Sequence, residues 1–112
     1  MSQITTHILD TTKGRPAAGV AIALLQQAGD SWQEIARGVT NSDGRIADLL
    51  PEEMELEAGV YKMKFYTHEY FAQAGTANFY PFVEIVFDVA SAEHYHVPLL
   101  LNPFGYATYR GS

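Results

Sequence analysis

The chain has 112 residues, 47% apolar and 18% charged, which fits one globular domain over residues 1–112 and excludes a disordered chain. It contains no cysteine, which excludes disulfide stapling, thiolate metal sites and cysteine nucleophiles. The net charge of −6, with no basic stripe, argues against a nucleic-acid partner, and no apolar run is long enough to cross a bilayer.

The N-terminal MSQITTHILD lacks the basic start and apolar stretch of a signal peptide. A cytoplasmic chain is the expectation, or a periplasmic one if a leader has been removed. ITTHILD reads as a strand with Thr6 and Ile8 on one face and Thr5, His7 and Leu9 on the other. TTKGRP is a loop, broken by Gly14 and Pro16. VAIALLQQ reads as a buried strand, AGDS as a turn, WQEIARGVT as the next strand and NSDGR as another tight turn. IADLLPEEMELEAG suggests a short strand followed by an acidic loop.

VYKMKFY alternates clearly, with Tyr61, Met63 and Phe65 opposite Lys62 and Lys64. THEYFAQAG predicts a short helix with Thr67 as its N-cap and Gly75 as its stop. PFVEIVFDV places Val83, Ile85, Phe87 and Val89 inward and Glu84 and Asp88 outward. HYHVPLLLNPFG and YATYR close the chain as two more strands. Seven or eight short strands with regular turns predict an antiparallel β-sandwich, without internal repeats or a second domain.

The four histidines differ in context. His68 and His94 read as surface or strand-end residues. His7 and His96 sit mid-strand among apolar or β-branched neighbours, where an imidazole needs a partner or a chemical task. His94 and His96 share a strand face by spacing, so a zinc site made with His7 stays open, although His-x-His alone is a weak signal. Pro98 cannot donate to a ladder and marks an interrupted or edge-like position.

Taken together, THILD, NSDGR, the block GVYKMKFYTHEYFAQAGTANFYPFVEIVF and the ending HYHVPLLLNPFGYATYRGS resemble the 5-hydroxyisourate hydrolases, transthyretin-like enzymes of urate breakdown. The final Tyr-Arg-Gly-Ser is the most specific of these motifs. Transthyretin proper lacks it, and lacks the two histidines. Asn102 stands where many members carry serine, outside the matched catalytic positions.

The resemblance implies an all-β, transthyretin-like (prealbumin-like) β-sandwich of two four-stranded sheets with one short helix. It implies a homotetramer with paired sites in two clefts at the dimer–dimer interface, and no metal or organic cofactor. The first strand is expected between the strand after Arg45 and the strand carrying His96, with the last strand on the other side of the latter.

The implied reaction is hydrolysis of 5-hydroxyisourate to 2-oxo-4-hydroxy-4-carboxy-5-ureidoimidazoline. Its implied catalytic residues are His7, Arg45, His96 and Ser112, and its substrate-binding residues are His7, Arg45, Tyr109, Arg110 and Gly111. One histidine would activate water while the other orients it or relays protons. Arg45 would meet the substrate's oxygens, and Tyr109 would position the ring. Arg110 would bring positive charge or anchor the ending on a carboxylate. Gly111 would permit a close backbone approach, and Ser112 would offer its hydroxyl and α-carboxylate. A transthyretin-like carrier of a planar small molecule is the alternative.

Overall fold

A computed structural model describes residues 2–112. In chain order the elements are β1 (Ile4–Asp10), β2 (Arg15–Pro16), β3 (Ala21–Ala28), β4 (Ser31–Val39), β5 (Gly59–Phe65), α1 (Thr67–Gln73), β6 (Val83–Val89), β7 (Tyr95–Asn102) and β8 (Gly105–Thr108). The strands form two four-stranded sheets, ordered β2-β1-β7-β8 and β4-β3-β5-β6. This is the expected sandwich of two four-stranded sheets with one short helix.

Period-two patterning drives the assembly. In β1, Ile4, Thr6, Ile8 and Asp10 are buried, while Thr5, His7 and Leu9 stay partly open on the outer face. Tyr61, Met63 and Phe65 of β5 are fully buried and meet Ile4, Ile8, Leu99 and Leu101 from the other sheet. Burying each such aliphatic or aromatic side chain is worth roughly 1.5–3 kcal/mol, so the inner faces fix which way every strand turns its side chains. Val83 and Val89 of β6 also point into this core, with Ile85 and Phe87 packed at its margin. The outer face of β1 and β7 is thereby left to His7 and His96.

Several elements depart from the sequence expectation. The loop after β1 contains the two-residue β2, which pairs Leu9 with Pro16 and Asp10 with Arg15. β2, rather than a strand after Arg45, therefore flanks β1. Residues 47–50 form turns and bends, and Ile46 joins no strand. Leu49 and Leu50 are both buried without pairing to a strand, and the Leu50 N–H donates instead to Ser2 Oγ (3.1 Å).

The sandwich is not wholly antiparallel, because β1 and β7 run parallel, with Thr5 beside His96 and His7 beside Pro98. The final strand stops at Thr108, so Tyr109 and Arg110 lie beyond it. At the helix, Thr67 is the first helical residue. The cap position belongs to Tyr66, which makes no side-chain cap. Its N–H still donates to Ala21 (2.9 Å), so sheet pairing continues up to the first turn. Gly75 ends the helix as expected, in the left-handed region at φ +67°.

Candidate active site

The turn after β4 is closed by its own sequence. Asn41 Oδ1 accepts from the N–H groups of Asp43 (2.8 Å) and Arg45 (3.2 Å), and the Asn41 N–H donates to the Arg45 carbonyl (2.8 Å). Gly44 completes the turn at φ +72° and lies buried against β1. Its carbonyl accepts from the Ile8 N–H (2.9 Å), and a Cβ at this position would lie 2.5 Å from the Ile8 carbonyl oxygen. Only glycine fits such an approach. Arg45 therefore leaves the turn next to the outer face of β1, which carries His7.

The tail reaches the same face from the other side. The β7–β8 ladder pairs Leu99 with Thr108, lapses at Tyr109 and Arg110, then resumes as a single bridge between His96 and Gly111. Pro98 has no N–H to give at the lapse, and its carbonyl accepts from the Thr108 hydroxyl (2.7 Å). The interruption read from Pro98 is thus present, but it falls in a central strand rather than at an edge. Beyond it the Gly111 N–H donates to the His96 carbonyl (2.9 Å). A Cβ on Gly111 would sit 2.4 Å from His96 Cδ2 and 3.1 Å from Pro98 Cγ. The bare backbone of Gly111 is what lets the tail lie against the imidazole.

These elements enclose an open cleft of about 650 Å³ lined by His7, Arg45, His96, Tyr109, Gly111 and Ser112, together with Thr5 and His94. Arg110 points elsewhere. Its guanidinium pairs with Glu93 and stacks 4.6 Å from the Tyr95 ring centroid, beside a second hollow that includes Ile85 and Phe87. It takes the anchoring role among the two considered for it. Tyr109 borders both the cleft and this second hollow, whereas Arg110 borders only the second.

Both cleft imidazoles of interest favour the neutral form. Burial pushes His7 below the ordinary histidine range and the positive charge of Arg45 adds to it, opposed by the Asp43 main chain and carboxylate. His96 is lowered first by burial, then by Arg45, His94 and His7. A neutral imidazole offers a lone pair, which is what a general base needs.

Two cleft residues escaped the sequence reading. The Thr5 hydroxyl lies 2.8 Å from His94 Nε2 and 2.8 Å from His96 Nδ1, and the two rings are stacked with centroids 6.3 Å apart. From its sequence context His94 reads as a surface or strand-end residue. The available signals were shared parity, His94 with His96 and Thr5 with His7, but the register that joins the two pairs is not a local property. His68 bonds Asn78 (3.0 Å) and does not line the cleft. Among the described residues no three His, Asp or Glu side chains form a metal-binding group, so the three-histidine arrangement of His7, His94 and His96 is not assembled here.

Comparison with known proteins gives consistent matches along the chain. The HIUase/Transthyretin family matches residues 4–111. The 5-hydroxyisourate hydrolase 2 of Rhizobium meliloti is 47% identical over 115 residues, covering 98% of this chain and 96% of the relative. The structure of Klebsiella pneumoniae 5-hydroxyisourate hydrolase superposes with a TM-score of 0.86 at 38% identity, covering 97% of this chain and 98% of the other. Sea bream transthyretin in complex with thyroxine superposes with a TM-score of 0.91, also at 38% identity, covering 98% and 95%.

Proposed function

The chain belongs to the HIUase/Transthyretin family, and we propose that it hydrolyses 5-hydroxyisourate to 2-oxo-4-hydroxy-4-carboxy-5-ureidoimidazoline. The observation that carries this reading is the meeting of His7, Arg45, His96, Tyr109, Gly111 and Ser112 around one cleft, from three separate parts of the chain. The relatives named 5-hydroxyisourate hydrolase support it at this level of identity.

The substrate is a small, flat, oxygen-rich ring closed by a cyclic amide. Water adds to the ring carbonyl, the carbon–nitrogen bond breaks, and the nitrogen takes a proton as the carboxylate forms. A neutral histidine accepts the water proton, and such a base contributes ~10²–10⁴-fold. The second histidine orients the water and helps return a proton to the departing nitrogen. Arg45 holds positive charge where the carbonyl oxygen gains negative charge. Tyr109 positions the ring, and Ser112 closes the cleft with its hydroxyl. No step needs a metal or an organic cofactor. The cleft is open on the sheet face in one chain, and a homotetramer would cover it by placing paired sites at the dimer–dimer interface.

A carrier function is the second reading, favoured by the likeness to transthyretin in complex with thyroxine. The histidine pair and the Tyr-Arg-Gly-Ser ending weigh against it. The deciding assay generates 5-hydroxyisourate from urate and follows its ultraviolet decay with and without the protein. Accelerated decay at substoichiometric protein supports the hydrolase. Decay at the spontaneous rate, with the ligand merely bound, establishes the carrier instead.

A further inference from the structure

A hydroxyl can accept one hydrogen bond while it donates another, and Thr5 Oγ1 stands where it does both. It lies 2.8 Å from His94 Nε2 and 2.8 Å from His96 Nδ1, between two rings inclined by only 20°. The bridge can run in either direction with the heavy atoms in place. Running outward, His96 Nδ1–H donates to Thr5 and Thr5 donates to His94. Running inward, His94 Nε2–H donates to Thr5 and Thr5 donates to His96. The two ends differ in setting. His96 is half-buried, with Thr5 on its Nδ1 edge and Gly111 against Cδ2, so Nε2 and Cε1 are what it offers the cleft. His94 is exposed and borders, besides the cleft, a separate hollow of about 430 Å³ lined in part by Glu52, Glu53 and Glu55.

We propose that Thr5 and His94 form a reversible proton store for His96, so that this base takes and returns a proton while the positive charge rests on the exposed His94. The inference rests on the hydrolase reading. Before attack both rings are neutral, each with its proton on Nδ1, and the bridge runs outward. The water oxygen forms its bond to the ring carbonyl with a lone pair, and one water proton passes to His96 Nε2. The Nδ1 proton of His96 passes to Thr5 Oγ1, and the Thr5 hydroxyl proton passes to His94 Nε2. His96 ends neutral, Thr5 is again a hydroxyl, and His94 is the imidazolium. When the carbon–nitrogen bond breaks, the nitrogen keeps the bonding pair and takes the Nε2 proton of His96. The bridge then runs back, from His94 to Thr5 and from Thr5 to His96 Nδ1, and both rings are as they began. The second water proton leaves with the carboxylic acid, which ionises in solvent.

The store matters because the cleft is a poor place for an imidazolium. His96 is faced by Arg45 from the turn, His7 from β1 and His94 from its own strand's approach, and burial and Arg45 both disfavour its protonation. Tyr109 and Ser112 line the same cleft from the tail and bring no second cation side chain to it. On His94 the charge is hydrated and lies towards the carboxylates of the neighbouring hollow. Thr5 and His94 thus act through His96, as positioning residues for its protons.

The test is a proton inventory on the full-length protein, with the single-turnover decay of 5-hydroxyisourate followed by stopped flow in mixtures of light and heavy water. Several protons moving together give a curved dependence on deuterium fraction, and one proton gives a straight line. The parent protein should give a curve. Thr5→Val keeps the side-chain shape without the hydroxyl, and should give a straight line and a rate lower by about tenfold, the scale of one hydrogen bond to a charged group. KM should change little, and Thr5→Ser should restore both rate and curvature. His94→Ala should match Thr5→Val, and the double variant should be no slower than either single one, since both cut the same bridge. A straight line for the parent, an unchanged rate in folded Thr5→Val, or a double variant slowed by the product of the two single losses overturns the store. The parent inventory decides even where a variant fails to fold. Absence of turnover in the parent overturns the hydrolase reading and the store with it, whereas an active parent with a straight inventory overturns the store alone.

Discussion

Replacing Gly111 with alanine adds a single methyl group, and its cost can be worked from the structure. The new Cβ would lie 2.4 Å from His96 Cδ2, 3.2 Å from His96 Cγ and 3.1 Å from Pro98 Cγ. Carbon atoms sit comfortably at about 3.5–4.0 Å, so ring and tail must separate by on the order of 1 Å. The imidazole is held on its far edge by Thr5 at 2.8 Å and belongs to a central strand. The tail is held at this point by the single 2.9 Å bond from the Gly111 N–H to the His96 carbonyl. The tail is therefore the part that gives, carrying Tyr109 and Ser112 with it.

Overpacking typically costs ~1–3 kcal/mol in a core, and a terminal segment that can move should lie near the lower end. At about 1 kcal/mol the melting temperature of a domain this size falls by roughly 4 °C, leaving the fold intact at assay temperature. Turnover is far more sensitive, since a misplacement of about 1 Å can cost ~10²-fold. The expected outcome of Gly111→Ala is thus a slightly lower melting temperature and a loss of about two orders of magnitude in kcat/KM, measured by ultraviolet decay of 5-hydroxyisourate and by circular dichroism. Unchanged kcat/KM in a folded Gly111→Ala protein would refute the contact between tail and imidazole.

Deleting residues 109–112 should abolish hydrolysis while preserving the circular dichroism spectrum, because the core is built from earlier strands; full turnover by the truncated chain would make the tail dispensable. The acid limb of kcat/KM should lie below the ordinary histidine value of 6.5, since burial and Arg45 lower both His7 and His96, and Arg45→Gln should move that limb upward as it slows the reaction. The same shift links to stability: below 6.5 the unfolded chain binds more protons, so the contribution is complete above 6.5 and is lost as pH falls through the folded values, a trend read from melting temperature against pH. Gly44→Ala forces a side chain into φ +72° with its Cβ 2.5 Å from the Ile8 carbonyl, and should cost at least ~1–2 kcal/mol in a urea titration, with activity falling as the Arg45 turn shifts.

The parts of this architecture legible in the sequence are those set by neighbours two apart. The faces of β1, β5 and β6 follow from alternation alone, and so does the exposure of His7 and His96 on an outer face. What sequence does not carry is register over distance. Nothing local says that Thr5 lies beside His96 or that β1 and β7 run parallel, yet these facts create the contact between Thr5 and the two histidines. Ile46–Leu50 misled for a related reason. An apolar run reports burial, but whether the backbone there pairs with a strand depends on what else can satisfy its N–H groups, and Ser2 does so for Leu50. Arg110 shows the same limit, since its partner Glu93 belongs to the turn before β7 and only the fold brings them together.

The tail between Thr108 and Gly111 is pinned at both ends, by the Thr108 hydroxyl on the Pro98 carbonyl and by the Gly111 N–H on the His96 carbonyl, so its length is set at two residues. Insertion or deletion of one residue there would set Arg110 or Ser112 against His96 in place of Gly111, where a Cβ collides with the ring. The turn between β7 and β8 is under no such arithmetic, because Asn102 Oδ1 caps it locally through the Phe104 N–H (2.9 Å) and its outer loop faces solvent. Changes of length in descendants of this chain should therefore collect at the 102–105 turn and spare residues 109–111, a pattern that insertion scanning across the last eleven residues would map directly.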